Sequence, residues 1–383
     1  NDHAHPEYCT PECATITELL RQDQLGDRLV MDCAKALSEK TQDEGEGRVR
    51  LYKNNTDFLG HSYGCHENYL LPRDVPWATI SQGIRAFLAT RQVFCGAGKF
   101  GWEEEDLYVG PGFQISQRSD FFSELESVDT MQRRPIVNTR DEPHADPVRW
   151  RRFHVIVGDA NLSPYSNYLK VGSTAAVLAM LGQVDPERVP RLQDPVGAMR
   201  SISRDPTCKW VCTLASGEEA TALEIQQHYI DLASECCPSP SDGFRLEDWR
   251  SIIEDLSGPS QGVADRLDWA AKYEIISQFR EAEGVGEDDP WLMSLDLSYQ
   301  LLDEAEGLFY GLRDAGQFVV PLSLPVEMGS AEFAAPSDTR ARIRGLCVQR
   351  FGRQVEAAQW DHVKLRDTTG AVELDLRQLT HIM

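Results

Sequence analysis

The chain has 383 residues, 41% hydrophobic and 26% charged, and a net charge of −23 from 38 Lys+Arg against 61 Asp+Glu. That balance excludes a mainly disordered chain and a collagen-like repeat, and the acidity argues against a nucleic-acid partner, because phosphate binding needs a basic surface. No run approaches the roughly 18 apolar residues of a membrane helix, so no membrane partner is expected.

Leu19, Leu20, Leu25, Leu29, Val30, Cys33 and Leu37 recur every three to four residues and predict a helix over 14–40. Residues 49–54 read as a strand, followed by turn chemistry over 54–60. Ile80, Ile84, Phe87 and Leu88 mark one face of a helix over 76–92, and 113–117 alternates like a strand. The most strand-like segments are 134–140 and 153–159. Period two puts Arg134, Ile136, Asn138 and Arg140 on one face of the first, and His154, Ile156 and Gly158 on one face of the second. A helix follows over about 170–182, and helical patterns dominate 218–315, broken by a loop over 237–243. From about 316 the pattern changes to short strands and one helix. Strands and helices without regular alternation predict an α+β fold. The length predicts two domains, a larger one over 1–315 and a small C-terminal one over 316–383.

The ten cysteines do not form a disulfide pattern. Cys33, Cys95 and Cys347 sit in apolar runs, and with no signal peptide the thiols read as reduced and cytoplasmic. Cys9-x3-Cys13 and Cys208-x3-Cys212 have zinc-like spacing, but the distance between the pairs weighs against zinc. Gly96-Ala97-Gly98-Lys99 lacks the first glycine of a phosphate loop, and Phe100 stands where Ser or Thr belongs. The chain opens on Asn1-Asp2-His3-Ala4-His5, like the end of a strand, so an N-terminal segment is expected to precede it.

Four polar segments carry the candidate chemistry. Residues 2–12 hold Asp2, Glu7 and two histidines. Magnesium takes such carboxylate oxygens, and a carboxylate free of metal can act as base or nucleophile; a solvated edge strand explains the same residues. Residues 54–69 suit a loop over a ligand, or a long self-bonded loop. In 138–146, Arg140 could hold phosphate bidentately or pair with Asp141 or Glu142. In 149–161, Arg149, Arg151 and Arg152 precede His154, a local cationic group in an acidic chain and a candidate for anion binding.

These segments resemble the Pup ligase/depupylase family. The matching strings are His3-Ala4-His5-Pro6-Glu7-Tyr8, Asn54-Asn55-Thr56-Asp57, Ser62-Tyr63-Gly64-Cys65-His66-Glu67-Asn68-Tyr69-Leu70, and residues 138–146 and 154–161. Weaker similarity runs through Leu223-Glu224-Ile225-Gln226, Leu295-Asp296-Leu297-Ser298-Tyr299, Thr339-Arg340-Ala341-Arg342 and Trp360, so it covers nearly the whole chain. The resemblance implies a glutamine-synthetase-like fold, a curved antiparallel sheet backed by helices. It also implies one of two activities: ligation of the C-terminal glutamate of the small protein Pup to a target lysine, or hydrolysis of that isopeptide bond with deamidation of a C-terminal Pup glutamine. The segments 2–7, 112–118, 158–161, 165–170 and 357–360 look more like the depupylase. Those at 62–70, 95–99 and 222–227 look more like the ligase. The site-proximal strings favour a depupylase; a ligase and a non-catalytic Pup- or nucleotide-binding relative are the alternatives.

Carried over residue by residue, the resemblance implies a catalytic aspartate at Asp2, a magnesium ligand at Glu7, nucleotide contacts at Thr10 and Trp360, and phosphate handling by Arg140 and His154. The implied cofactors are ATP, or ADP plus phosphate, with Mg. The implied partners are Pup and pupylated proteins, and a cytoplasmic monomer is expected. In a regular strand Asp2 and Glu7 would face opposite sides, so the chain must bend near Pro6. The family's opening strand, with its Gly-x-Glu-x-Glu signature, is absent from this chain, and Arg204 stands where a histidine is expected.

Overall fold

The computed structural model describes residues 5–43, 45, 47–101, 112–143, 145–205, 207–237, 243–258, 260–319, 334–367 and 370–377. Helix α1, Ile16–Asp43, begins at a reciprocal cap. The Glu18 carboxylate accepts from the Thr15 amide at 3.2 Å, and the Thr15 hydroxyl accepts from the Glu18 amide at 3.2 Å, which satisfies two amides that lack helical partners. The apolar periodicity of this segment is therefore realised as a helix. Cys33, expected among buried thiols, lies on its exposed side, while Cys95 and Cys347 are buried; all ten cysteines are free thiols.

The expected strand over 49–54 does not form. Tyr52 makes an isolated bridge with Leu301, Lys53 N–H donates to the Gln300 carbonyl at 2.9 Å, and Leu302 N–H donates to the Leu51 carbonyl at 2.9 Å. Its partner is a short irregular turn rather than a strand, so no ladder can propagate.

The main sheet follows from β1 (Glu67–Pro72), β4 (Phe122–Ser127), β5 (Arg134–Asn138) and β6 (Trp150–Val155), in the order β1-β6-β5-β4; the two-residue strands β2 (Lys99–Phe100) and β3 (Phe113–Gln114) pair with each other apart from it. β6 runs antiparallel to β1 and β5, but β5 runs parallel to β4. The expectation of an antiparallel sheet is corrected at that edge. A parallel neighbour requires the chain to travel back the length of the strand. The segment 128–133 does so, held by Arg134 Nε on the Thr130 carbonyl at 3.1 Å and by the Arg133–Glu124 ion pair at 2.9 Å.

Helix α2, Trp77–Thr90, buries Ile80, Ile84, Phe87 and Leu88 against the sheet's inner face, where Phe153 and Val155 are fully enclosed. After the one-turn α3 (Gln92–Cys95), α4 (Pro164–Leu181) shares this core, together with α5 (Pro195–Ser203) and α6 (Ala222–Cys236). Between β6 and α4 runs an irregular, largely buried stretch over 156–163. The sequence pattern carries the strand to 159, yet β6 ends at Val155. The reason is hydrogen bonding: beyond Val155 the carbonyls of Ile156, Val157 and Gly158 are taken by the guanidinium groups of Arg118 and Arg91, and that of Asp159 by Lys170 Nζ at 2.8 Å. Buried carbonyls need partners, and here buried cations replace the neighbouring strand.

The helical patterns over 218–315 become α6, α7 (Leu246–Leu256), α8 (Asp268–Glu283), α9 (Pro290–Tyr299) and α10 (Leu308–Asp314), preceded by the hairpin of β7 (Val211–Thr213) and β8 (Glu219–Thr221). Further on, α11 (Arg340–Phe351) leads into an antiparallel sheet of β9 (Val355–Ala358), β10 (His362–Asp367) and β11 (Gly370–Asp375). Cys347, Val363 and Leu376 form a separate apolar cluster there. Among the described residues no helix is long and apolar enough to cross a membrane.

Candidate functional site

Strand alternation sorts β1 and β6 into two faces. Glu67 of β1 is buried on the inner face, while Asn68 beside it is exposed. Glu67 meets Arg91, just past α2, through Oε1–Nη2 at 2.5 Å and Oε2–Nη1 at 3.0 Å, and Arg91 also donates to Thr174 of α4 at 2.6 Å. Tyr69 O–H donates to the same carboxylate at 2.6 Å. This buried pair fastens β1 to the helical layer, and so decides how His66 and Asn68 are presented on the other side.

On that other side lies His154. Antiparallel register sets it across from Asn68 of β1 and Asn138 of β5. Its Nδ1 is 2.8 Å from Asn68 Oδ1, and its ring meets that of His66 edge-on at 5.1 Å. Burial pulls the His154 pKa down from 6.5 to about 3, helped by His66, Arg152 and Arg140. Arg140 therefore acts on the same imidazole: the structure brings Arg140 and His154 into one electrostatic group. Arg140 is exposed, and its backbone N–H donates to Asn138 Oδ1 at 2.9 Å. The carboxylates it was expected to compete for are engaged elsewhere, Asp141 with Arg73 at 2.8 Å and Glu142 with Arg152 at 3.2 Å. Among the described residues no carboxylate pairs with Arg140.

The opening segment is tied down at three points. His5 packs on Tyr63 with ring centroids 4.1 Å apart. The Tyr8 ring lies on Gly26 of α1, where a Cβ would stand 2.2 Å from Tyr8 Cδ1. Glu12 pairs with Arg340 at 3.3 Å and with Arg344 at 2.8 Å, both on α11. Arg344 in turn lies over the Trp360 ring at 5.0 Å. The segment that holds Thr10 is thus joined to Trp360 through Glu12, two residues on, and Arg344. Glu7 is exposed, with the Cys9 thiol 3.9 Å from Oε1, and residues 6–13 form no strand. Asp2 lies outside the described residues.

Two guanidinium groups beside the site were not among the expected site residues. Arg118 and Arg134 are 2% and 9% exposed. Both bond Ser62, Arg118 Nε to its hydroxyl at 3.1 Å and Arg134 Nη2 to its carbonyl at 3.3 Å. Burial and the neighbouring Arg134 pull the Arg118 pKa down to about 10. Nothing local marks an arginine for burial; the one available signal was the depupylase-like string over 112–118 that contains Arg118. That string is bonded to a second one. Asp159 accepts from Ser116 Oγ at 3.0 Å and Gln117 N–H at 2.9 Å, and Arg118 Nη1 donates to the Gly158 carbonyl at 3.2 Å.

Among the described residues no cluster of three or more His, Cys, Asp or Glu could hold a metal ion. Magnesium needs less: it is commonly held by about one or two carboxylates plus phosphate oxygens and water, and the exposed Glu7 carboxylate fits that mode. The Trp360 ring, 38% exposed and close to the Thr10 segment, fits a stacking platform for a nucleotide base.

The profile of the Pup-ligase protein family matches residues 1–364. The chain is 39% identical over 376 residues to a depupylase of Acidothermus cellulolyticus, covering 94% of this chain and 72% of that protein. It is 37% identical over 373 residues to a Pup–protein ligase of a Nocardioides species, covering 95% and 81%. Among solved structures, the Pup ligase PafA in complex with ADP superimposes with a TM-score of 0.86 at 35% identity, covering 98% of this chain and 83% of that one. The complex between Pup and PafA gives 0.85, with 98% and 77% covered. The chain belongs to the Pup-ligase family, which includes Pup ligases and Pup deamidases/depupylases.

Proposed function

We propose that this protein is a depupylase/deamidase, cleaving the isopeptide bond between the C-terminal glutamate of Pup and a substrate lysine. The observation that carries a phosphate-using reaction is the cationic group on the open face of the sheet, Arg140 with Arg152 beside a neutral His154. The choice of depupylase over ligase is supported by the mutual bonding of the two depupylase-like strings through Asp159 and Arg118. The fold is read as glutamine-synthetase-like. The units are read as a catalytic domain over 1–315 and a small domain over 316–383, the latter supported by the separate cluster of Cys347, Val363 and Leu376. A cytoplasmic monomer completes the reading.

When bound, nucleotide and magnesium supply phosphoryl oxygens and a compensating charge at the reacting carbonyl. The residues of the chain do the rest. Thr10 and Trp360 would hold the nucleotide and Glu7 the metal. Arg140 would contact phosphoryl oxygen and the developing oxyanion, where fixed charge stabilises the transition state most, and His154 stands beside it. Asp2 acts as base or nucleophile on the glutamyl carbonyl. Pup is acidic, so its groove must be locally basic despite the −23 net charge; Arg149 and Arg152 are the candidates, whereas Arg151, expected with them, is buried over the Trp77 ring at 5.5 Å.

The test is incubation of the intact protein with a Pup-tagged substrate and either ATP or ADP plus phosphate. Tag removal without stoichiometric loss of ATP is expected. ATP-dependent attachment of Pup would instead make the protein a ligase, and binding without turnover a non-catalytic relative. An Asp2→Asn variant with undiminished turnover would remove Asp2 from the chemistry.

A further inference from the structure

His154 faces two asparagines, and only one of them holds it. Asn138 is committed elsewhere: its Oδ1 accepts from Arg140 N–H at 2.9 Å and its Nδ2 donates to the Asp129 carbonyl at 3.3 Å. Asn68 Oδ1 lies 2.8 Å from His154 Nδ1. An amide oxygen can only accept, so Nδ1 carries the proton, and in the neutral ring Nε2 then presents a lone pair. The charged or titratable groups that face this ring are His66 before β1, Arg152 on β6 and Arg140 after β5. The nearby carboxylates Asp141 and Glu142 pair with Arg73 and Arg152. Among the described residues no acid touches the imidazole, so it stays neutral.

We infer that Asn68 is a positioning residue that fixes His154 in the tautomer whose Nε2 is a proton acceptor. This rests on the proposed function and deepens it. A neutral ring protonated at Nδ1 cannot donate from Nε2 to phosphate; it takes a proton. With Asp2 as the base, the proton that it draws from the attacking water as the new C–O bond forms at the glutamyl carbonyl passes on to Nε2. The imidazolium then returns that proton to the departing lysine nitrogen as the C–N bond breaks, and the neutral ring is restored. The cations around His154 make the imidazolium a strong acid, which favours the second transfer. A histidine oriented by its second nitrogen is a recurrent device for setting which nitrogen reacts.

Two measurements test this. In the intact protein labelled with ¹⁵N-histidine, with His154→Gln for assignment, the His154 ring should be protonated at Nδ1, and Asn68→Ala should lose that preference. In turnover of a Pup-tagged substrate, Asn68→Ala should lower kcat by roughly 10- to 100-fold with little change in KM. Asn68→Asp, which sets a carboxylate against Nδ1–H, should raise the imidazolium pKa and move the acid limb of the pH–rate profile upward by about one pH unit or more. Asn68 is exposed, so both variants retain the sheet. A wild-type ring protonated at Nε2, or an Asn68→Asp profile superimposable on wild type, overturns the inference. A wild-type protein that neither removes nor attaches Pup overturns the functional reading instead, while the ring spectrum still decides the role of Asn68.

Discussion

Arg140 and Arg91 show how differently two arginines of one chain act. Arg140 is exposed and unpaired by any described carboxylate, so its removal should cost function and little stability. Arg140→Gln is expected to lower turnover of a Pup conjugate by roughly 10²–10³-fold while moving the unfolding free energy by no more than about 0.5 kcal/mol. Steady-state kinetics beside urea denaturation reads both. Arg91 is the opposite case, enclosed with Glu67 in a bonded pair. Arg91→Met leaves the carboxylate buried without its cation, and about 3–5 kcal/mol of stability should be lost. Adding Glu67→Gln should restore much of it, since a buried pair is costly chiefly when half of it remains. A double variant no more stable than Arg91→Met would show that the pair is not coupled.

At the scale of elements, the opening segment depends on α1. Glycine in a helix interior is ordinarily a liability of about 1 kcal/mol against alanine, yet Gly26 sits in the middle of α1 with the Tyr8 ring in the place of a side chain. Gly26→Ala should therefore leave thermal stability equal or higher, because helix propensity offsets the lost contact. Activity should fall, because Tyr8 is displaced and Glu7, next to it, moves with it. A variant with unchanged activity and unchanged nucleotide affinity would show that Tyr8 does not position the segment. The end of β6 teaches the same lesson about elements. Its pattern continues in sequence, but Arg91, Arg118 and Lys170 take the next carbonyls and bend the chain into the site.

For the whole molecule, His154 links stability to pH. Its folded pKa of about 3 lies below the unfolded value of 6.5. Between those values the unfolded chain binds more protons, so stability falls as pH falls from about 6.5 towards 3, by at most about 1.4 kcal/mol per pH unit from this group. Urea midpoints at about pH 7.5 and about pH 5 should differ less in His154→Gln than in wild type. An equal difference in both would assign the acid sensitivity to other groups. The net charge of −23 acts in the same experiment, since protonating carboxylates relieves self-repulsion; comparison with the variant separates the two.

Local pattern was enough for much of this protein. The periodicity of Leu19 to Leu37 and of Ile80 to Leu88 predicted α1 and α2, and the strings around Glu7, Asn68, Arg140 and His154 carried the family. Helix periodicity and short motifs are properties of adjacent residues, so they are visible in one dimension. Other features were decided only by contacts between distant residues: the parallel β4–β5 pair, the loss of a strand at 49–54, the early end of β6, and the burial of Arg118 and Arg134 against Ser62. The site belongs to both. Arg140 and His154 were legible as residue types, but Asn68, 86 residues from His154, became its partner only through sheet register, and Glu12 reached Arg344 across 332 residues. A strand's neighbour and the neutralisation of a buried charge are chosen by what else must be satisfied nearby, and that is settled only when the chain has folded.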